Sequence, residues 1–301
     1  MMKKTVRFYE LRAERKIGNG LRTDPVANDF WLKMATHLES LPAARRQIKI
    51  RGRTIHGESR IGQQPATRYF YLGGVRERAE WPQSLSGATG VVGELEPQDR
   101  DAVLVEPTYV VPFGDSNQIA MLTMSASSPR VTALESWFSA MLDDDGPVHN
   151  YTLIPVINSK VSERLANARG ATILRVKVQP DADIPETGGG KIGTAARAAK
   201  QVSTETDIEL GWTLGRRAGH DDTKAALLEG ARWVREDFAK SATVNLELPD
   251  GDGFKRAEYD LIKEQFTAIQ KFDIRADESP KELSVLTGIN EAIARFRKEF
   301  S

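Results

Sequence analysis

Residues Leu104–Leu142, LVEPTYVVPFGDSNQIAMLTMSASSPRVTALESWFSAML, carry the clearest local grammar in the chain. Ala102 to Pro112 is apolar and β-branched and reads as a buried strand. Gly114-Asp115-Ser116-Asn117 is a cluster of turn residues. Gln118 to Thr123 is a second apolar run, so the pair predicts a hairpin. Ser127-Ser128-Pro129 predicts a helix start, with a hydroxyl to cap and a proline whose missing N–H costs nothing in the first turn. Val131, Leu134, Trp137, Phe138, Met141 and Leu142 follow at helical spacing as one apolar stripe. That leaves Arg130 and Glu135 for an exposed face, a candidate dimer contact. Asp143-Asp144-Asp145-Gly146-Pro147 ends the helix. The unit is a core element with no catalytic pattern.

Toward the N-terminus, Thr5 to Leu11 alternates and predicts a first strand. Asn28-Asp29 can cap a helix through Phe30, Trp31, Met34, Ala35, Leu38 and Leu41. Gln47 to Arg53 alternates Ile48 and Ile50 with Lys49, Arg51 and Arg53, which predicts a half-buried strand with a basic outer face. Gly52 and Gly57 mark bulges or turns. Thr67 to Gly73 predicts a strand on which Tyr69 and Tyr71 share a face. Cations beside aromatic rings form a nucleic-acid platform, but these tyrosines are expected to pack against the first helix. Trp81 to Gly93, rich in Gly, Ser and Pro, reads as a loop.

Toward the C-terminus, strands are expected at Tyr151–Val156, Ala171–Val178, Thr206–Leu214, Thr243–Leu248 and Lys271–Ala276. Helices are expected at Ser159–Ala168, Thr194–Ser203 and from Asp221 to Phe238. Glu258 to Phe266 fits helix or strand. Pro280 to Phe300 is a closing amphipathic helix with Leu283, Leu286, Ile289, Ile293, Phe296 and Phe300 on its stripe. There is no regular βαβ alternation. The prediction is α+β: antiparallel sheets with packed helices in a two-part architecture, residues 1–148 and 149–301.

At 301 residues the chain can bury a large core. It has no cysteine, which excludes disulfides, Cys-ligated metals and a Cys nucleophile. The first residues lack an apolar stretch of signal-peptide length, and no run approaches the ~20 apolar residues of a membrane helix. A soluble, cytoplasmic protein without membrane insertion is expected. Its 42 basic and 42 acidic residues cancel, but unevenly. Residues 1–80 hold 17 Lys and Arg against 8 Asp and Glu, a net +9, so the remainder carries −9. Such asymmetry points to a polyanion.

Gly188-Gly189-Gly190-Lys191 resembles a phosphate loop, but Ile192 stands where a P-loop needs Ser or Thr. A loop presenting Lys191, Arg197 and Lys200 at a helix start fits phosphate better. Asp143-Asp144-Asp145 with His149, and Asp250-Gly251-Asp252-Gly253, lack calcium-loop spacing. The four histidines fall in four segments, and no GxSxG is present. No catalytic residue, metal or cofactor is assigned.

The order of elements carries a resemblance. The LVEPTYVV…NQIAMLTM…SSPRVTALESWF unit is followed by ATILRVKV, TAARAAKQVS, TDIELGWTL, TVNLEL, KFDIRA and a closing helix. Over roughly residues 95–301 this is similar to the RexA family of phage-exclusion proteins. The resemblance implies homodimers that bind DNA without sequence preference, a fold like that of the nucleoid protein RdgC, and no defined catalytic residues. The expectation is a non-enzymatic binder of double-stranded DNA in anti-phage defence or nucleoid association, with a second defence-system protein as a possible partner. Its expected contacts are Arg45, Arg46, Lys49, Arg51, Arg53, Arg60, Lys191, Arg197 and Lys200. The alternatives are a metal-dependent nuclease or nucleotide-acting defence enzyme, and a protein-interaction sensor subunit.

Overall fold

One sixteen-residue strand, β1 (Met2–Ile17), is the spine of the larger of two main sheets. The computed structural model describes the chain apart from residues 1, 18–19, 28, 51, 64–65, 86–89, 91, 94, 96–101, 115–116, 143–147, 181, 183, 203–204, 216–220, 236–237, 252, 266, 275–280 and 301. For 16–17, 20–22, 85, 149, 159 and 300 it describes the backbone alone.

The N-terminal elements are β2 (Gly20–Pro25), α1 (Phe30–Ser40), β3 (Gln47–Ile50), β4 (Arg53–Ile61), β5 (Arg68–Val75), the short pair β6 (Ser84–Leu85) and β7 (Val92–Gly93), β8 (Val105–Pro112), β9 (Gln118–Thr123) and α2 (Val131–Met141). Then come β10 (Val148–Pro155), α3 (Ser159–Asn167), β11 (Gly170–Val178), α4 (Gly190–Val202), β12 (Ile208–Thr213), α5 (Asp221–Trp233), β13 (Ala239–Asp250), β14 (Gly253–Asp260), β15 (Thr267–Phe272) and α6 (Glu282–Phe300). The ambiguous segment at Glu258 thus falls at the end of a strand and in the turn that follows it.

The larger sheet runs β10-β1-β9-β8-β5-β4-β3, with β15 and β2 also on β1. One edge of β1 takes β15 opposite Met2–Arg7 and then β10 opposite Tyr9–Arg15. The other takes β9 and then β2. All these pairings are antiparallel. Residues on both sides of 148/149 therefore share one sheet.

Period two sorts the side chains into two cores. Tyr9, Leu11 and Ala13 of β1 join Phe70, Leu72, Val110, Ile119 and Met121 under α1 and α2. Val6 and Phe8 join Tyr69, Val111, Ala120 and Leu122 under α6. β5, β8 and β9 are covered on both faces, which is why they read as unbroken apolar runs. In α6, Leu286, Ile289, Ile293 and Phe296 are buried as expected, but Leu283 is 52% exposed.

The predicted hairpin is β8–β9. Its helix starts at Val131, with Arg130 at the cap and no capping side chain. The Ser128 hydroxyl instead accepts from the Ser125 N–H at 3.0 Å, and Thr108 Oγ1 donates to the Pro129 carbonyl at 2.7 Å. Those bonds hold the loop and delay the helix by two residues. Glu135 is buried rather than on an exposed face.

The second sheet, β12-β11-β13-β14, is also antiparallel. Leu174 and Val176 of β11 and Val244 and Leu246 of β13 pack under Val161 and Leu165 of α3, Ile192 of α4 and Leu227 of α5. The architecture is α+β with two sheets and separate cores.

Candidate nucleic-acid interface

The expected basic strand at 47–53 is two strands. Ile50 pairs with Arg53, and Gly52, at φ 85°, lies in the connection. A two-residue connection puts the residues flanking it opposite each other on one face. Arg53 therefore shares a face with Ile48 and Ile50, not with Lys49, and its guanidinium lies against Gly74. Arg51 lies outside the described residues.

The remaining cations of this region are partly claimed. Arg45 and Lys49 are exposed. Arg46 lies 3.9 Å from Glu58, and its carbonyl accepts from Trp137 Nε1 at 3.1 Å. Arg60 donates from Nε to Glu58 at 2.7 Å and sits 4.0 Å over the Tyr71 ring. Burial is the main cause that lowers the His56 pKa, and Arg46 and Arg60 reinforce it. The tyrosines do not pack on the first helix. Tyr69 is buried on the α6 side, where its hydroxyl donates to Glu282 at 2.8 Å.

The later cations divide as well. Lys191 is exposed in the first turn of α4. Arg197 donates to the carbonyls of Pro185 at 3.0 Å and Gly188 at 3.3 Å. Lys200 donates to the carbonyl of Gln179 at 2.9 Å and to that of Pro180. These two side chains hold the loop that precedes α4. Of the expected contacts that are described, Arg46, Arg60, Arg197 and Lys200 are thus bonded within the protein.

The sheet assembles a different basic surface. Lys3, Thr5 and Arg7 alternate along β1 on the face that carries Tyr9 and Leu11 further on. Across the ladder, Lys3 pairs with Lys271, Thr5 with Ile269 and Arg7 with Thr267. The β15 partners are exposed there, with Ile269 at 67%. On the opposite edge Arg7 pairs with Met121 of β9. Exposed Arg130 projects from the start of α2. Lys3, Lys4, Arg7 and Arg130 line a cleft of about 480 Å³, with Thr5, Thr123 and Ser125 between them, and the β15 partners of β1 stand outside that lining. Among the described residues no carboxylate lines it. Lys4 points one amine bond inward, donating to the Met124 carbonyl at 2.7 Å.

Lys3 opposite Lys271 is informative because like charges directly across a ladder cost stability. A bound polyanion would remove that cost. The paired lysines escaped sequence reasoning because sheet register alone brings residue 3 beside residue 271. The one local signal was the pair Lys3-Lys4 at the N-terminus.

Among the described residues no group of three acidic or histidine side chains is placed to hold a metal. The Asp143-Asp144-Asp145 run, the His149 side chain and Asp252 lie outside them. No described helix is long and apolar enough to cross a membrane. No protein-family model matches the chain, and no curated protein matches it significantly.

Proposed function

We propose that the protein binds double-stranded DNA without sequence preference, as a homodimer of the RexA type acting in phage defence or nucleoid association. The observation that supports this is the cleft in which Lys3, Lys4, Arg7 and Arg130 meet hydroxyl groups and no lining carboxylate. Arg and Lys neutralise phosphates, and the Thr5 and Thr123 hydroxyls donate to phosphate oxygens, while Ser125 donates to Glu106. The +9 charge of residues 1–80 supplies the long-range attraction. Base edges need not be read, so affinity comes from the phosphates and falls with salt.

The test is fluorescence anisotropy with two unrelated 30-base-pair duplexes over a salt series. Equal affinities and a steep salt slope are expected. The variant K3E/R7E/R130E should lose most binding, while R45E/K49E should lose less. Absence of binding at low salt, or a flat salt response, would overturn the reading. Loss confined to R45E/K49E would move the interface to the β3 edge.

A further inference from the structure

The even-numbered side chains of β1 turn the other way. Beyond Val6 and Phe8 they are Glu10, Arg12 and Glu14, and they line a cavity of about 510 Å³ between the larger sheet and α3, α5 and the loop before α4. That volume is typical of a site for a small organic ligand. Arg232 and Trp233 of α5 line the facing wall, with Gly188 and Gly189 ahead of α4.

Three buried polar atoms of this lining have no hydrogen-bond partner: Arg12 Nε, Glu14 Oε2 and Trp233 Nε1. Glu14 is 3% exposed and Trp233 7%. All three are shielded from solvent behind the cavity wall, so what the cavity presents to an occupant is the remaining donors and acceptors of its lining. Trp233 Nε1 and Glu14 Oε1 converge on Gly188. A Cβ there would stand 3.1 Å from the first and 3.5 Å from the second.

The chemistry of the lining is specific. Arg12 pairs with Glu10 at 2.9 Å, and Arg232 donates to the Leu165 carbonyl at 2.9 Å, so each keeps further donors. Burial lowers the Arg232 pKa and the nearby Arg12 lowers it further, a repulsion that an anion between them would relieve. Gly188 and Gly189, at φ 78° and 69°, lead into the N-terminus of a thirteen-residue helix. Glycines before a helix N-terminus suit phosphate. Glu14 and Glu229 are acceptors of the kind that hold ribose hydroxyls. Ile154, Ile157 and Leu261 give an apolar wall.

We propose that this cavity binds a nucleoside monophosphate. The phosphate lies toward Arg12, Arg232 and the start of α4, the ribose toward Glu14 and Glu229, and the base against the apolar wall. The proposal does not depend on DNA binding, because the DNA-facing cleft and this cavity share no lining residue.

Isothermal titration of the full chain with each of the four ribonucleoside 5′-monophosphates tests it, beside inorganic phosphate and the four nucleosides. At least one monophosphate should bind at least tenfold more tightly than both its nucleoside and phosphate. R12Q/R232Q should weaken it tenfold or more, and E229Q, at an exposed position, by about threefold or more. K3E/R7E should leave it unchanged. If R12Q/R232Q does not fold, E229Q decides. Several results would overturn the proposal: no binding by any monophosphate, which marks a water-filled cavity; phosphate binding as tightly as the nucleotides; or unchanged affinity in a folded E229Q.

Discussion

Arg235 and Glu135, a hundred residues apart, form a bidentate ion pair of 2.7 and 2.8 Å that closes the outer edge of β10. Glu135 Oε1 also accepts from the Leu153 N–H at 2.6 Å and from Thr152 Oγ1 at 3.1 Å. Arg235 Nη1 donates to the Leu153 carbonyl. Two side chains thus satisfy both main-chain groups of an edge residue, as a neighbouring strand would. One comes from α2 and the other from just beyond α5, so the pair ties the core under α1 and α2 to the core of the second sheet. Arg235 is 1% exposed and Glu135 8%. Removing one partner strands a buried charge, so E135M or R235M should each cost about 3–5 kcal/mol in urea unfolding. E135M/R235M should cost much less than the sum of the single changes. Additive effects in that cycle would show that the pair is not coupled.

Glu14 predicts a pH dependence. Burial is the main cause that pushes its carboxyl up from 4.5 to about 7, and the nearby Glu135 adds to it. Below pH 4.5 both folded and unfolded forms are protonated, and the favourable contribution is complete. Between 4.5 and about 7 the unfolded chain ionises while the folded one holds its proton, so stability falls. Above about 7 the loss is full, about 3 kcal/mol by linkage. E14Q should flatten this part of the stability profile and raise the Tm above pH 7. A profile unchanged by E14Q would remove Glu14 as its source.

Gly57 lies under the indole of Trp137. A Cβ at residue 57 would enter the six-membered ring at Cζ2 and Cε2. Trp137 is fully buried and anchored by its Nε1 bond to Arg46. W137A should cost about 3–5 kcal/mol. G57A should cost about 1–3 kcal/mol by overpacking. Because the two sites compete for one space, G57A/W137L should be less destabilised than the sum of G57A and W137L. Thermal unfolding of the four proteins measures this directly.

This region shows how far the residues alone could be read. The hairpin and the helix carrying Trp137 were legible because apolar spacing is dictated by local geometry. The alternation of Gln47–Arg53 misleads because it runs through a turn. Crossing a two-residue connection reverses the parity that a continuous strand would keep, and only Gly52 hinted at it. Glu135 was placed outside because a carboxylate beside an apolar stripe reads as solvated. Its partner, Arg235, is fixed by tertiary packing. The cleft is illegible for the same reason, since its cations come from β1 and the start of α2, more than a hundred residues apart.

The Lys3–Lys271 ladder pair offers a test that separates stability from binding. Facing cations repel, so K271E replaces a repulsive cross-strand pair with an attractive one. Such changes are worth about 0.2–1 kcal/mol. For a chain of this size that raises the Tm by roughly 0.3–1.6 °C. The same substitution places a negative charge at the proposed phosphate track. DNA affinity should therefore fall, and the slope of log affinity against log salt should shrink by about 0.9 for the lost contact. A structural role alone predicts the gain in stability without the change in slope. If K271E is stabilised and binds DNA with an unaltered slope, residue 271 lies outside the phosphate track, and the interface must lie toward Arg130 and the start of α2.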